Sequence, residues 1–77
     1  MKVKLFYRTQ RELATALNQL VDAYWKEEIE EQELIVGVKN MYENNLYKLR
    51  KGSRFTKVIE QQCGKRRLEV VVNILKL

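Results

Sequence analysis

Residues 9–24 read TQRELATALNQLVDAY, and this stretch decides the fold class. Thr9 stands three residues before Glu12, the spacing of a capping box in which hydroxyl and carboxylate each satisfy a free amide at a helix start. Leu13, Leu17, Leu20, Val21 and Tyr24 then recur at helical spacing with Ala16 beside them, so one apolar stripe runs out near Lys26. A helix with one apolar side needs a cover, which predicts helix packed on helix.

The cover lies downstream. A second helix is expected from about Glu30, with acids in the first turn suiting the helix dipole and with Leu34, Ile35, Val38, Met41 and Tyr42 buried. Gly37 interrupts that pattern and weakens it by up to ~1 kcal/mol relative to Ala. Asn44-Asn45 is the expected stop, since Asn tolerates the left-handed conformation that ends helices. The short link between the two helices predicts an antiparallel hairpin.

Residues 46–54 (LYKLRKGSR) read as a basic connector, Leu46 and Leu49 docking on the core and Gly52-Ser53 marking a turn. A third helical pattern places Phe55, Val58, Ile59 and Gln62 on one side and ends at Gly64. The last segment, KRRLEVVVNILKL, fits both periods. Its valines favour a strand, but Glu69 and Asn73 fall on one helical side and neither strand face is polar, so helix is the preferred reading. Upstream, Lys2 to Arg8 alternates Val3, Leu5 and Tyr7 with Lys2, Lys4, Phe6 and Arg8, the pattern of a short half-buried strand. The expected fold is therefore mainly α, a helical hairpin packed on C-terminal helices with a short N-terminal strand. The alternative is α+β, with residues 2–7 pairing to a C-terminal strand.

Charge supplies the functional signal. Between Leu46 and Arg67 stand Lys48, Arg50, Lys51, Arg54, Lys57, Lys65, Arg66 and Arg67 against Glu60 alone, a local balance of +7 in a chain whose total is +5. Residues 27–45 oppose it with Glu27, Glu28, Glu30, Glu31, Glu33 and Glu43 against Lys39, a balance of −5. Clustered cations concentrate polyanions and speed encounter with them, so these eight basic residues are the candidate nucleic-acid-binding set. The competing reading is that each charge run is the solvated face of an ordinary helix. Gly64-Lys65-Arg66-Arg67 could frame an anion at a helix start; the alternatives are a longer helix running through Gly64, or pairing of these cations with the acidic second helix.

Catalysis finds little support. The 77 residues include no His, a single Cys and three isolated glycines, so no general base for neutral pH, nucleophile elbow or phosphate loop is legible, and no cofactor is expected. The lone Cys63 excludes an internal disulfide, and with no His beside it there is no ligand cluster of the kind that structural zinc demands. Its expected role is a small buried side chain at a helix end, in a protein expected to be a cytoplasmic single domain over 1–77. No apolar run reaches the ~18 residues of a membrane span, and the MKVKLFYRTQ start lacks a signal-peptide core. So short a chain is expected to complete its core as a homodimer.

Two motifs resemble DNA-binding families. A strand before two helices is similar to ribbon-helix-helix proteins, although five glutamates would then face the DNA backbone. Thr9 to Leu17 looks like the first helix of a helix-turn-helix, but the apolar stripe continues where that family turns. As a whole, YRTQRELATALNQLVDAYW and FTKVIEQQCGKRRLEVVVNIL resemble a group of short uncharacterised proteins of Gram-positive bacteria and their mobile elements. The resemblance implies a small, mainly helical cytosolic protein with helices on both sides of Gly64, and no activity. The functional expectation is a non-enzymatic regulatory or accessory protein that binds nucleic acid. The alternative is a protein-binding adaptor or inhibitor that uses its charged faces or the Tyr24-Trp25 and Tyr42-Tyr47 aromatics.

Overall fold

Thr9 opens the first helix as its capping box requires, its Oγ1 accepting from the Glu12 amide at 3.0 Å. Glu12 reaches back to the Arg8 amide at 3.3 Å, one residue beyond the usual partner. The computed structural model describes residues 4–77, in the order α1 (Gln10–Trp25), α2 (Glu31–Asn44), α3 (Leu46–Leu49), β1 (Arg50–Lys51), β2 (Arg54–Phe55) and α4 (Lys57–Leu75). The mainly α expectation holds. The last segment is helical through Leu75.

The stripe on α1 becomes the core. Leu13, Leu17, Leu20 and Val21 are essentially inaccessible, and they pack with Leu34, Val38 and Met41 of α2, Leu49 of α3, and Ile59, Cys63, Leu68 and Val71 of α4. Each fully buried Leu contributes about 1.5–3 kcal/mol relative to exposure. Gly37 has a packing role, because a Cβ there would stand 2.6 Å from Leu20 Cδ2. Its lack of a side chain lets α2 approach α1.

After Trp25 the chain reverses in a Schellman turn. The Glu28 amide donates to Ala23 O at 2.8 Å and the Glu27 amide to Tyr24 O at 3.0 Å, with Glu27 itself left-handed at φ 61°. The hairpin then returns antiparallel, bringing Asn45 at the end of α2 back beside Tyr7 ahead of α1. Asn45 stops α2 differently from expectation. Its backbone is not left-handed (φ −135°), and its backbone amide and its side-chain Nδ2 both donate to Met41 O at 3.0 Å.

The expected strand from Lys2 to Arg8 is not formed over its described part, since residues 4–9 carry no strand. Lys2 and Val3 lie outside the described residues. What satisfies this segment is Asn45, whose Nδ2 donates to Leu5 O at 2.8 Å and whose Oδ1 accepts from the Tyr7 amide at 3.1 Å. One buried side chain takes the place of a neighbouring strand. The ribbon-helix-helix comparison therefore loses its strand over these residues.

The basic connector forms α3 and a minimal antiparallel hairpin, pairing Arg50 with Phe55 and Lys51 with Arg54 around the Gly52-Ser53 turn. Leu49 docks as expected, but Leu46 stays 39% exposed. Phe55 belongs to the hairpin, so the third helix starts later, at Lys57 under a Thr56 cap.

α4 is two helical pieces joined at Gly64, whose φ 79° and ψ 166° are not helical and are essentially open to glycine alone. Three residues of α1 one turn apart serve this break. Ala14 O faces Cys63 Sγ at 3.9 Å, Asn18 Nδ2 donates to Gln62 O at 2.9 Å, and Asp22 holds Arg67. The same face of α1 thus follows α4 across its kink, and the two helices run in the same direction.

Candidate nucleic-acid interface

The N-termini of α1 and α4 meet. Thr56 Oγ1 caps its own helix by accepting from the Ile59 amide at 3.3 Å and donates to Gln10 Oε1 at 2.9 Å. The positive ends of two helix dipoles therefore lie side by side. The hairpin closes against them through the Thr56 amide, which donates to Leu49 O at 3.1 Å.

Lys51, Arg54 and Lys57 converge there, lining a surface groove of about 430 Å³ with Gln10, Phe55 and Glu60. Arg50 lies over the Phe55 ring, its guanidinium carbon 5.0 Å from the centroid. Lys48 is partly covered, its carbonyl 3.4 Å from Thr56 Oγ1. On the other side of the α1 start, Lys4 and Arg11 line a second groove, of about 470 Å³, with Thr9 and Glu12. These cations make one basic pole.

Lys65, Arg66 and Arg67 lie beyond the kink. Arg67 donates Nε to Asp22 Oδ1 at 2.9 Å, Nη2 to Asp22 Oδ2 at 3.0 Å and Nη1 to Cys63 O at 3.1 Å. Its partner is thus an α1 aspartate and a carbonyl of the kink, whereas the sequence offered an anion at the helix start or the acids of α2. The hydrogen bond from Arg67 holds the Asp22 carboxyl below its ordinary pKa, and the same bond raises that of Arg67. Lys65 shares an apolar-floored groove with Glu60 and Glu69, and Arg66 is exposed. The eight cations between Lys48 and Arg67 are therefore divided, five around the hairpin and three past Gly64.

At the far end of α1, about 24 Å away for sixteen residues of helix, Glu27, Glu28, Glu30, Glu31 and Glu33 surround a depression beside Tyr24. No three His, Cys, Asp or Glu side chains among the described residues are placed to hold a metal ion. No described helix is long and apolar enough to cross a membrane. Cys63 is buried, and burial pushes its thiol up to about 11.

Sequence reasoning missed Asn45, which it read only as a helix stop, and the exposed residues gathered around it. Leu5, Phe6 and Tyr47 are 51%, 67% and 89% exposed. Tyr24 and Tyr42 instead pack against the core, whereas Trp25 is 48% exposed.

Fold and surface together define a small, mainly helical protein with a basic and an acidic pole. Residues 4–76 match a Clostridium-named family described as "conserved hypothetical protein", and the chain belongs to that family. No curated protein and no solved structure matches it.

Proposed function

We propose that this is a non-enzymatic accessory protein that binds nucleic acid through its basic pole. The observation that carries the reading is the Thr56–Gln10 bond, which places two helix N-termini beside Lys51, Arg54 and Lys57. The five glutamates at the far end of α1 supply the opposite sign, so a polyanion meets an oriented molecule and is steered to one end. Lys48 and Arg50 extend the contact, and Lys65 and Arg66 flank it. Contacts of this kind grip phosphates without reading bases. The proposal includes a cytoplasmic setting and the finer likeness to proteins of Gram-positive mobile elements.

Fluorescence anisotropy of labelled nucleic acid at rising salt tests it. Binding should weaken steeply with salt, and a Lys51/Arg54/Lys57 triple-Ala variant should lose affinity together with about three units of salt slope. A Lys65/Arg66 double-Ala variant should lose less. Absence of binding by the native protein at low salt would sink the reading.

The second reading, a protein-binding adaptor, is favoured by Trp25, which is 48% exposed at the glutamate-rich end of α1. A protein partner held by that aromatic would bind with little dependence on salt.

A further inference from the structure

Of the seven large apolar side chains exposed among the described residues, four gather around one buried side chain, and Trp25, Val36 and Leu77 lie elsewhere. Leu5, Phe6, Leu46 and Tyr47, between 39% and 89% exposed, all lie within two residues of Asn45 or of the backbone groups it binds. Asn45 is 4% exposed, and its side-chain bonds go to Leu5 O and the Tyr7 amide, the two peptide groups that bracket Phe6. A third bond, Nδ2 to Met41 O at 3.0 Å, fixes the clamp to α2. The backbone on both sides of Phe6 is thus held while its ring is given to solvent. Tyr47 follows two residues after the clamp, on α3, and is the most exposed of the large apolar side chains among the described residues.

Cations predominate around these rings, with Glu12 accepting from the Arg8 amide at 3.3 Å and sharing the Lys4 groove. Residues 4–8 contribute Lys4 and Arg8, residues 45–51 contribute Lys48, Arg50 and Lys51, and neither segment contains an acid. Aromatic faces set in a surplus of cations are the combination that holds unpaired nucleotides: the backbone runs along the positive charge while bases stack on the rings. A duplex keeps its base faces stacked internally and offers nothing for Phe6 or Tyr47 to cover. A membrane surface is the poorer fit, because the patch is an irregular segment and a four-residue helix rather than a long amphipathic helix.

We infer that the basic pole takes single-stranded nucleic acid, with unpaired bases stacking on Phe6 and Tyr47. The inference rests on the nucleic-acid reading proposed above and specifies the ligand of that pole. Arg50, lying over Phe55, supplies a third flat surface beside the hairpin.

The test is anisotropy with labelled oligo(dT), oligo(rU) and a mixed-sequence duplex of equal length, at low and physiological salt. The native chain is compared with Phe6→Ala, Tyr47→Ala and Tyr47→Phe, with anionic vesicles as a further arm. Both rings are exposed, so all variants should melt with the native protein. The expected result is single strands bound at least about tenfold more tightly than duplex, each Ala variant weakening single-strand binding by about five- to a hundredfold, and Tyr47→Phe retaining it. The salt slope should stay unchanged, because no cation is removed. The two single strands distinguish DNA from RNA as the source. Duplex bound as tightly as single strands, or Ala variants that bind oligo(dT) and oligo(rU) like the native protein, would overturn the stacking inference and leave the basic-pole reading standing. Failure to bind any nucleic acid at low salt would overturn both, and vesicle binding lost in Phe6→Ala would assign the face to membrane.

Discussion

Arg67 grips Asp22 through two parallel hydrogen bonds, Nε to Oδ1 and Nη2 to Oδ2, at 2.9 and 3.0 Å. Its remaining arm closes on Cys63 O, the last carbonyl before the Gly64 break. This cation is therefore committed to holding the second half of α4 against α1. Its guanidinium fork matches a carboxylate in a way that an ammonium cannot.

The pair has a pH signature. Its hydrogen bond from Arg67 lowers the pKa of Asp22, so its stabilising share is fully present above about pH 4 and is lost as pH falls through the lowered value. The two side chains are 33% and 34% exposed, and solvent screening limits the effect to about 1 kcal/mol. Asp22→Asn should be about that much less stable at pH 7 in urea unfolding, with the difference shrinking below pH 4. A constant difference across that range would show that packing, not charge, sets the loss.

Gly64 should resist replacement although Ala is the better helix former. A Cβ there meets nothing within 4 Å, so the penalty is conformational alone, about 1–3 kcal/mol for holding a residue with a side chain at φ 79° and ψ 166°. Should Gly64→Ala instead straighten α4, Arg67 would be carried off Asp22. Combining it with Asp22→Asn separates these outcomes: additive losses mean that the kink persists, and a silent Asp22→Asn in the Gly64→Ala background means that it has straightened.

The helices were legible because their signals are local. A capping box, a stripe of leucines and a glycine are read within one or two turns, and α1, the α2 hairpin and the break at Gly64 all follow from them. Lys2 to Arg8 misled because alternation reports a half-buried extended chain without saying what bonds its backbone. The partner proved to be Asn45, a side chain almost forty residues away. The basic set was legible as residues but not as a surface. Sequence adjacency cannot show that Arg67 turns to Asp22, or that Lys51, Arg54 and Lys57 gather where Thr56 meets Gln10.

Asn45 is thus a sharp test of what orders the N-terminal segment. Asn45→Ala would leave Leu5 O, the Tyr7 amide and Met41 O without their side-chain partner, and it should destabilise the protein by about 2 kcal/mol. Hydrogen exchange at the Tyr7 amide should accelerate more than exchange in the middle of α1. Equal acceleration at both would indicate global loosening and not the release of a clamp.

Gly37 sets two small effects against each other. Ala there gains up to ~1 kcal/mol of helix propensity but drives its methyl into Leu20, which is fully buried, and overpacking of this kind costs about 1–3 kcal/mol. Gly37→Ala should therefore be net destabilising by about 1 kcal/mol. In a Leu20→Ala background, where the clashing methyls are gone, the same change should become neutral or stabilising. A sign that does not reverse between the two backgrounds would count against the close approach of α1 and α2 as the reason for glycine.

Glu27 offers the opposite case, a site where glycine should help. It occupies the left-handed position of the Schellman turn at φ 61°, where a side chain is strained by roughly 1–2 kcal/mol and glycine is not. Its carboxylate also stands among Glu28, Glu30, Glu31 and Glu33 around the same depression, so its removal lowers like-charge repulsion. Glu27→Gly should raise stability by about 1 kcal/mol, less than the full strain because glycine gains freedom in the unfolded chain. Glu27→Gln removes the charge and keeps the side chain. If thermal melts place Glu27→Gln level with Glu27→Gly, the gain comes from charge; if Glu27→Gly alone is stabilised, the left-handed backbone is the cause.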